Sequence, residues 1–511
     1  MSTFPAELLP HFHALGVASR MSRDAVQNGR AQEAATTSPN LQLQLQLQSQ
    51  SQAQPQSQNK QQDVDRLSLL PDKLLLMIFE IVAQDSRHDL CNMSLANKHY
   101  HALTDRILYK SILFESPEHH LTFSESLHRR PRRGSLIQDV KLEYPSYELS
   151  HLILDSALEQ SDTAHYSSKG IDGLSRTLSA MSNLETLDIA VPVKLLHGIG
   201  ALFNGPFDLA CLKTCSLLYQ CPDDAYWDLR ENIHIFTHPT LETLIIKRAK
   251  LDEKGFDFME RPHSTALKTL RLIECDINDD SLADILEFPE GLREFYMYHT
   301  ADPKPELEES SNEINEHVMA LRDQAETLES VIIDHPSLGG RKVLRMRDFQ
   351  SCRTLRLNLD TQLFGKTGKK PRMHSAGLPP QLETLEFFDP LGADEMVTEL
   401  FSMMIENMDF MARRLKTLIV AEGPDGVPEQ VLEACKGKNF DLQIRRRGET
   451  GHRGPSAYLD GGRTREDENS VPKTQVPGCE ILPVRDRVRW NAVAEEAWGK
   501  RDAERKPFDP N

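Results

Sequence analysis

The chain has 511 residues, of which 39% are hydrophobic and 27% are charged, and its formal net charge is −18. This length allows more than one domain, and the acidic balance disfavours broad binding to nucleic acids. No apolar run approaches the roughly 18 residues of a membrane-spanning helix, so we expect neither a nucleic acid nor a membrane as a partner.

Cysteine usage and the first residues of the chain indicate the compartment. The eight cysteines are scattered, without the paired spacing of a disulfide framework, which is typical of a reducing compartment. The first residues lack the charged start and the continuous apolar core of a secretory signal. We therefore expect the protein in the cytoplasm, in the nucleus or in both.

Residues 1–62 form a polar segment that is rich in glutamine and serine. Such a composition buries too little apolar surface to offset the entropy of the chain, so the sequence predicts a disordered tail. The alternation of Leu and Gln over residues 41–48 leaves a second possibility, an aggregation-prone strand.

Residues 66–114 carry the pattern of three short helices. Pro71 suits the first position of a helix, where its missing N–H would have had no partner. Apolar residues then recur at helical spacing and predict one wide apolar face. Asp89 is a candidate cap for a second helix, and Tyr100 opens a third. Three short helices bury little core, so the pattern favours a module completed by a partner.

The combination of Leu70-Pro71, Leu74-Leu75, Ile78-Phe79, a capped Asp89-Leu90 pair and Lys98-x-Tyr100 resembles the F-box family. This resemblance implies an α-helical surface that binds a Skp-type adaptor and so joins a cullin–RING ubiquitin ligase. The adaptor-binding residues that it implies are Leu70, Pro71, Leu74, Leu75, Ile78, Phe79, Leu95 and Tyr100. The alternative is an ordinary helical hairpin that opens a larger domain.

Residues 118–445 are periodic, with a recurring six-residue phrase of the form apolar-x-x-apolar-x-apolar. The phrase begins at Leu184, Leu212, Leu241, Leu267, Leu292, Leu328, Cys352, Leu382 and Leu415, with an earlier copy at Ile137. The steps from Leu184 onward are 24 to 36 residues long, and helical patterns such as 281–288 and 394–414 lie between phrases. Strands that alternate with helices at this period predict a solenoid in which each repeat buries its apolar face on its neighbours.

The phrase and its period resemble leucine-rich repeats of an irregular form without a clear asparagine ladder. Residues 121–131 and the following Val140-Lys141-Leu142 are similar to the helix, Arg-Pro pair and first strand that follow the F-box in many fungal proteins. The predicted fold class is therefore α/β, with an N-terminal three-helix F-box-like module, an irregular leucine-rich-repeat-like β/α solenoid and disordered termini. The last segment, 446–511, is expected to be a mostly disordered polar tail with a possible helix at 490–505.

Strand alternation assigns a side of the sheet to each phrase position. The apolar positions point into the core, and the third, fifth and seventh point to the other face. The third position is mostly Thr, which suits an exposed sheet. The predicted target-binding residues are Arg271, Tyr296, Tyr298, Arg356 and Phe388, because Tyr and Arg are enriched in binding hot spots. The two arginines favour an acidic or phosphorylated segment, and the alternative is a merely solvated sheet.

Candidate chemical motifs do not assemble into a site. Gly365-Lys366-Thr367 is similar to the end of a phosphate-binding loop, but Asp360 stands where that motif needs glycine. Cys215 occupies a core position of its phrase, which argues against a zinc site with the nearby Cys211 and Cys221. The basic run 129–133 is either a nuclear import signal or the opening of the repeats. We expect no catalytic residue, no cofactor and no metal.

The sequence thus predicts a non-enzymatic substrate receptor. The F-box-like module binds the adaptor, the solenoid binds an unidentified target protein, and the partner ligase transfers ubiquitin to a target lysine held nearby. Two alternatives stay open: an F-box protein that acts outside the ligase as a scaffold or inhibitor, and an enzyme with an unrecognised site.

Overall fold

The computed structural model describes residues 67–446 with gaps. The three longest gaps are 146–174, 252–263 and 359–376, and the shorter ones include 204–208, 309–312, 339–344 and 392–394. The predicted disordered segment 1–62, the possible helix 490–505 and Gly365-Lys366-Thr367 lie outside the described residues, as does the predicted tail 446–511 apart from Arg446.

Three helices open the described part of the chain: α1 (Asp72–Asp85), α2 (Arg87–Ala96) and α3 (Lys98–Leu108). Ser86 caps α2, because its side-chain oxygen accepts a hydrogen bond from the backbone N–H of Asp89 at 3.2 Å. Asp89 therefore lies inside the first turn of α2 and is not its cap, which corrects the sequence-based assignment. Asn97 caps α3 in the same way, accepting from the Tyr100 N–H at 2.7 Å.

The rest of the described chain is built from strands with short helical connections. The strands are β1 (Ser111–Phe114), β2 (Asp139–Glu143), β3 (Thr186–Pro192), β4 (Thr214–Gln220), β5 (Trp227–Asp228), β6 (Thr243–Lys247), β7 (Ala249–Leu251), β8 (Thr269–Ile273), β9 (Asp276–Ile277), β10 (Glu294–Tyr298), β11 (Ser330–Asp334), β12 (Thr354–Leu357), β13 (Thr384–Pro390), β14 (Thr417–Ala421) and β15 (Asp441–Arg445). The further α-helices are α4 (Asp279–Leu286), α5 (Ile314–Ala320), α6 (Glu395–Glu406), α7 (Met408–Met411) and α8 (Glu429–Cys435). The 3-10 helices are Leu67–Leu69, Pro131–Leu136, Val193–Leu195, Ala201–Phe203, Pro222–Asp224, Leu229–Thr237 and Leu321–Gln324.

Among the described residues, twelve strands form one parallel sheet in the order β1-β2-β3-β4-β6-β8-β10-β11-β12-β13-β14-β15. Strands β5, β7 and β9 form a second, smaller parallel sheet. The α/β class and the strand positions are confirmed, since each of the nine phrases and the earlier copy at Ile137 forms a strand that begins at its third residue. Strands β1 and β15 belong to the sheet without having been recognised as phrases.

Successive phrases pair in the same register, and the hydrogen bonds between them begin one residue before each strand starts. The backbone N–H of the second residue in one phrase donates to the carbonyl of the second residue in the preceding phrase. Lys213, for example, donates to Glu185 at 2.8 Å. Side chains of opposite charge also pair at this position, with Lys213 Nζ 3.2 Å from Glu185 Oε2 and Lys268 Nζ 3.0 Å from Glu242 Oε2. These pairs are largely exposed, so each stabilises the fold by at most about 1 kcal/mol.

Burial along the strands alternates as the phrases predict. Leu270 and Leu272 of β8 are fully buried, while Thr269 and Arg271, which alternate with them, are half-buried. The buried side chains of the strands belong to one continuous apolar core that extends from Phe114 in β1 to Val431 in α8. In β8 the predicted phase is therefore confirmed from the third to the sixth phrase residue. The predicted exposure of the seventh residue is wrong in three strands, since Lys247 of β6, Ile273 of β8 and Asp334 of β11 are buried.

The strand phase makes a direct prediction about stability. Leu270→Ala and Leu385→Ala should each lower the free energy of unfolding by about 2–5 kcal/mol, because both leucines are fully buried. Thr269→Ala and Thr384→Ala, one residue away on the half-buried face, should each cost less than about 1 kcal/mol. Urea unfolding measures all four variants, and equal losses at the two kinds of position would contradict this phase.

Candidate protein-binding surfaces and a buried histidine cluster

Helix α1 has two apolar faces rather than the single wide face predicted. Leu75 and Phe79 on one face are fully buried. Leu74, Met77 and Ile81, here called the α1 stripe, are 45%, 52% and 59% exposed. Their i, i+3, i+7 spacing places them along one side of the helix, so α1 supports the fold with one face and presents the other outward.

The inner face of α1 completes a small core within the three helices. Phe79 packs edge-on against Tyr100 with ring centroids 5.4 Å apart, and Leu75, Leu90 and Leu103 join the same cluster. The three helices therefore have their own apolar centre before any partner binds.

The residues implied to bind an adaptor fall into three groups. Leu75, Phe79 and Tyr100 are buried in the helical core, where they can act on a partner only through the fold. Leu70 and Ile78 are half-buried, and Pro71, Leu74 and Leu95 are exposed. Sequence reasoning missed the most exposed large apolar side chains of the helical module, Leu69 (71%), Met77 and Ile81. Their helical spacing, offset from that of Leu75 and Phe79, was the signal that could have revealed them.

On the opposite side of the sheet from the core, the fifth phrase residues form a line across neighbouring strands, here called the central row. The central row comprises Ile245, Arg271, Tyr296, Ile332, Arg356, Glu386 and Ile419. The register places Tyr296 between Arg271 and Ile332. Tyr296 is only 7% exposed, which corrects its assignment to the exposed surface, whereas Tyr298 and Phe388 are half-buried.

Both predicted target-binding arginines already contact carboxylates. Arg271 lies 3.9 Å from Glu294, and both side chains are partly exposed. Arg356 Nε lies 3.3 Å from Glu386 Oε2, and Glu386 is fully buried. Arg445 of β15 contacts the other oxygen of the same carboxylate. Two arginines thus offset the cost of burying the Glu386 carboxylate. Arg356 therefore has a structural role, whereas the ion pair of Arg271 with Glu294 is long and partly exposed.

A second polar line lies just beyond the carboxyl ends of the strands, at the eighth phrase position. Its residues in four successive repeats are Arg248, Glu274, His299 and His335. His299 Nδ1 lies 3.3 Å from Glu274 Oε2, and His299 Nε2 lies 3.3 Å from the Tyr226 hydroxyl. The rings of His299 and His335 pack with centroids 4.8 Å apart.

With His317 of α5, these two histidines form what we call the histidine cluster. All three members are at most 1% exposed. Both ring nitrogens of His335 and Nε2 of His317 lack a hydrogen-bond partner among the described residues. The backbone N–H of His335 donates to Asn358 Oδ1 at 2.7 Å, and Asn358 Nδ2 donates to Asp334 Oδ1 at 3.1 Å.

Burial determines how these groups ionise. It lowers the pKa of all three histidines, and repulsion from the protonated forms of His299 and His317 helps to bring the pKa of His335 to about 3. The Glu274 carboxylate works against burial at His299 by raising its pKa. Burial raises the pKa of Asp334 to about 6, although its hydrogen bond from Asn358 acts in the opposite direction. The histidine cluster is therefore neutral near pH 7.

Comparison with known proteins adds no family assignment: no protein-family model and no curated protein matches this chain. Within the described residues, no three His, Cys, Asp or Glu side chains are grouped so that they could hold a metal ion. Cys211 is exposed, Cys215 buried and Cys221 half-buried. None of the helices in the described part of the chain has the length and apolar content needed to cross a membrane.

The histidine cluster predicts a pH dependence of stability. The folded-state pKa of His335 lies below its ordinary value of 6.5, so the unfolded chain binds more protons between about pH 3 and 6.5. The contribution of His335 is complete above pH 6.5 and is lost as the pH falls through this window, by on the order of a few kcal/mol. His335→Phe should therefore flatten the decline of the unfolding free energy below pH 6.5, measured by urea titration at several pH values.

His88→Phe, at an exposed position of α2, is the matched control and should leave the pH profile unchanged. Asp334 acts in the opposite sense, because its raised pKa means that its contribution is lost as the pH rises from 3.8 through about 6. The difference between each variant and the wild type at the same pH isolates His335. A His335→Phe profile parallel to the wild type would contradict the assignment.

Proposed function

We propose that this protein is the substrate-recognition subunit of a cullin–RING ubiquitin ligase. The three-helix module binds a Skp-type adaptor, and the parallel sheet with its connections acts as a leucine-rich-repeat-like solenoid that binds the target protein. The α1 stripe is the observation that supports this proposal best, because it is an apolar surface on a helix whose other face is already satisfied.

The α1 stripe has the chemistry of a helix that docks into a groove. Its three residues occur at the i, i+3, i+7 spacing of anchors in helix–groove complexes. Leu69 and Leu95, 71% and 44% exposed, add apolar surface within the same helical module. This arrangement fits the F-box resemblance of residues 66–114, with the interface moved from Leu75 and Phe79 to Leu74, Met77 and Ile81.

The proposed role requires no catalytic residue in this chain. The sheet holds a target while the module holds the ligase, and the ubiquitin carrier then reaches a target lysine within one complex rather than by a bimolecular encounter. A scaffold that acts outside the ligase would use the same α1 stripe, so the presence of a cullin among co-purified proteins distinguishes the two functions.

Target recognition is best placed on the central row near Arg271. Its guanidinium is partly exposed and only loosely paired with Glu294, so an acidic or phosphorylated segment can displace that carboxylate at little cost. Arg356 is a weaker candidate, since losing its contact would leave the buried Glu386 with Arg445 alone. Ile245 is the direct neighbour of Arg271 in the row and supplies half-buried apolar surface beside it, and Ile332 adds more on the far side of Tyr296.

The first functional prediction concerns the adaptor. Met77→Ala combined with Ile81→Ala should weaken adaptor binding at least about tenfold, since each side chain contributes about 1.5–3 kcal/mol when it becomes fully buried. Co-purification followed by a titration of the adaptor measures the effect. Lys73→Ala with Glu80→Ala, two exposed polar neighbours on α1, is the matched control and should bind normally.

The fold of the module must be monitored in the same experiment. The α1 stripe variant should keep the circular dichroism and melting temperature of the wild type, because both side chains are more than half exposed. Leu75→Ala, in contrast, removes a buried side chain and should destabilise the helices. Undiminished adaptor binding by a folded stripe variant would reject the proposed docking surface.

The second functional prediction concerns the target. Arg271→Glu should remove partners other than the adaptor and cullin from a pull-down analysed by quantitative mass spectrometry, because it reverses a charge on the central row. Arg293→Glu is the matched control: Arg293 lies 3.9 Å from Glu329, as Arg271 does from Glu294, but at the second phrase position. If Arg271→Glu and Arg293→Glu recovered the same partners, target recognition would not depend on the central row.

A further inference from the structure

The two edge strands of the twelve-stranded sheet, β1 and β15, are covered to different extents. At the β1 end, Phe123 packs against Tyr109 and Phe114 with ring centroids 6.2 Å and 5.4 Å apart. The guanidinium of Arg133 lies 4.5 Å from the Tyr109 ring centroid and 3.5 Å from Asp105 of α3. The first strand is therefore covered by aromatic and ion-pair contacts that join it to the helical module.

At the other end, core positions are left partly uncovered. Leu442 and Ile444 of β15 pair in register with Leu418 and Val420 of β14, which are fully buried core residues. Leu442 is only half-buried, and Ile444 is 42% exposed. Among the described residues no element follows β15 in the sheet. Repeat proteins need a terminal unit with a polar outer face to cover such an end.

The chain itself supplies a segment with the right chemistry. Within the otherwise polar stretch 447–511, an apolar stripe recurs at i, i+3, i+4, i+7 and i+8, a spacing that predicts an amphipathic helix. The stripe comprises Trp490, Val493, Ala494, Ala497 and Trp498. It contains two of the three tryptophans in the protein. These residues lie outside the described part of the structure, in the predicted helix 490–505.

We propose that the predicted helix 490–505 covers the open end of the sheet, with its tryptophan stripe packed on Leu442 and Ile444. The helix would then serve as the terminal cap of the repeat array, and its charged side, with Glu495 and Glu496, would face solvent.

An intramolecular cap is favoured over a separate partner by the position of the tail. The chain leaves β15 at Arg445, and 44 residues separate it from Trp490. A random coil of that length has a root-mean-square span of roughly 33–40 Å, enough to return across the end of the sheet. Its effective local concentration is in the millimolar range, so even a weak apolar contact is occupied within one molecule.

Tryptophan fluorescence of the full-length chain tests this proposal. Trp227 is 1% exposed and provides a constant background, so changes report on Trp490 and Trp498. Ile444→Lys should shift the emission to longer wavelength and increase quenching by acrylamide. Gln443→Lys introduces the same charge one residue away on the opposite face of β15, at an exposed position, and should match the wild type.

A second variant approaches the contact from the other side. Trp490→Ala with Trp498→Ala leaves the described fold untouched and should accelerate deuterium exchange of the β15 amides, with no change at β8. Unchanged quenching in Ile444→Lys together with unchanged exchange in the tryptophan variant would overturn the proposal. A shielded tail that becomes exposed on dilution, with a matching drop in molecular mass, would also overturn it, because the cover would then be a second copy of the chain.

Discussion

The parallel, in-register hydrogen bonding of the large sheet is the constraint on which the rest of the structure depends. Each strand begins where a backbone N–H donates to the matching carbonyl of the previous repeat, 2.8 Å away in the case of Lys213 and Glu185. Because side chains alternate along a strand, a slip of one residue would move every core leucine to the solvent face. The register therefore defines rows of equivalent positions, and from β3 onward residues 24 to 36 apart in sequence become direct neighbours.

The same register determines where charge and burial come into conflict. At the central row, Glu386 is fully buried and is compensated by Arg356 and by Arg445. At the eighth phrase position, His299 and His335 of the histidine cluster are buried with few polar partners, and they avoid the cost of burying a charge by staying neutral. The sheet thus reduces the cost of burying ionisable groups in two ways, by pairing charges at the fifth phrase position and by keeping side chains neutral at the eighth.

The helical module is organised by a different principle, the division of one helix between two tasks. Leu75 and Phe79 hold α1 to α2 and α3, while the α1 stripe stays outward at more than 40% exposure for each side chain. A helix that buried both faces within the module would leave no apolar surface exposed for a partner. The proposed receptor function relies on this division, since the fold of the module does not have to change for the stripe to bind.

Short-range pattern was sufficient for much of the architecture. The phrases located the strands β2, β3, β4, β6, β8 and β10 to β14 and their inward and outward sides, because strand phase follows from alternation within six residues. The three helices of 66–114 were equally evident from helical spacing. What sequence could not decide was how much each side chain is covered: Tyr296 is buried by its neighbours in the row, and Met77 is exposed although it is as apolar as Leu75. Coverage depends on what packs alongside from distant parts of the chain, as Arg445 does on Glu386, and only the tertiary structure brings those parts together.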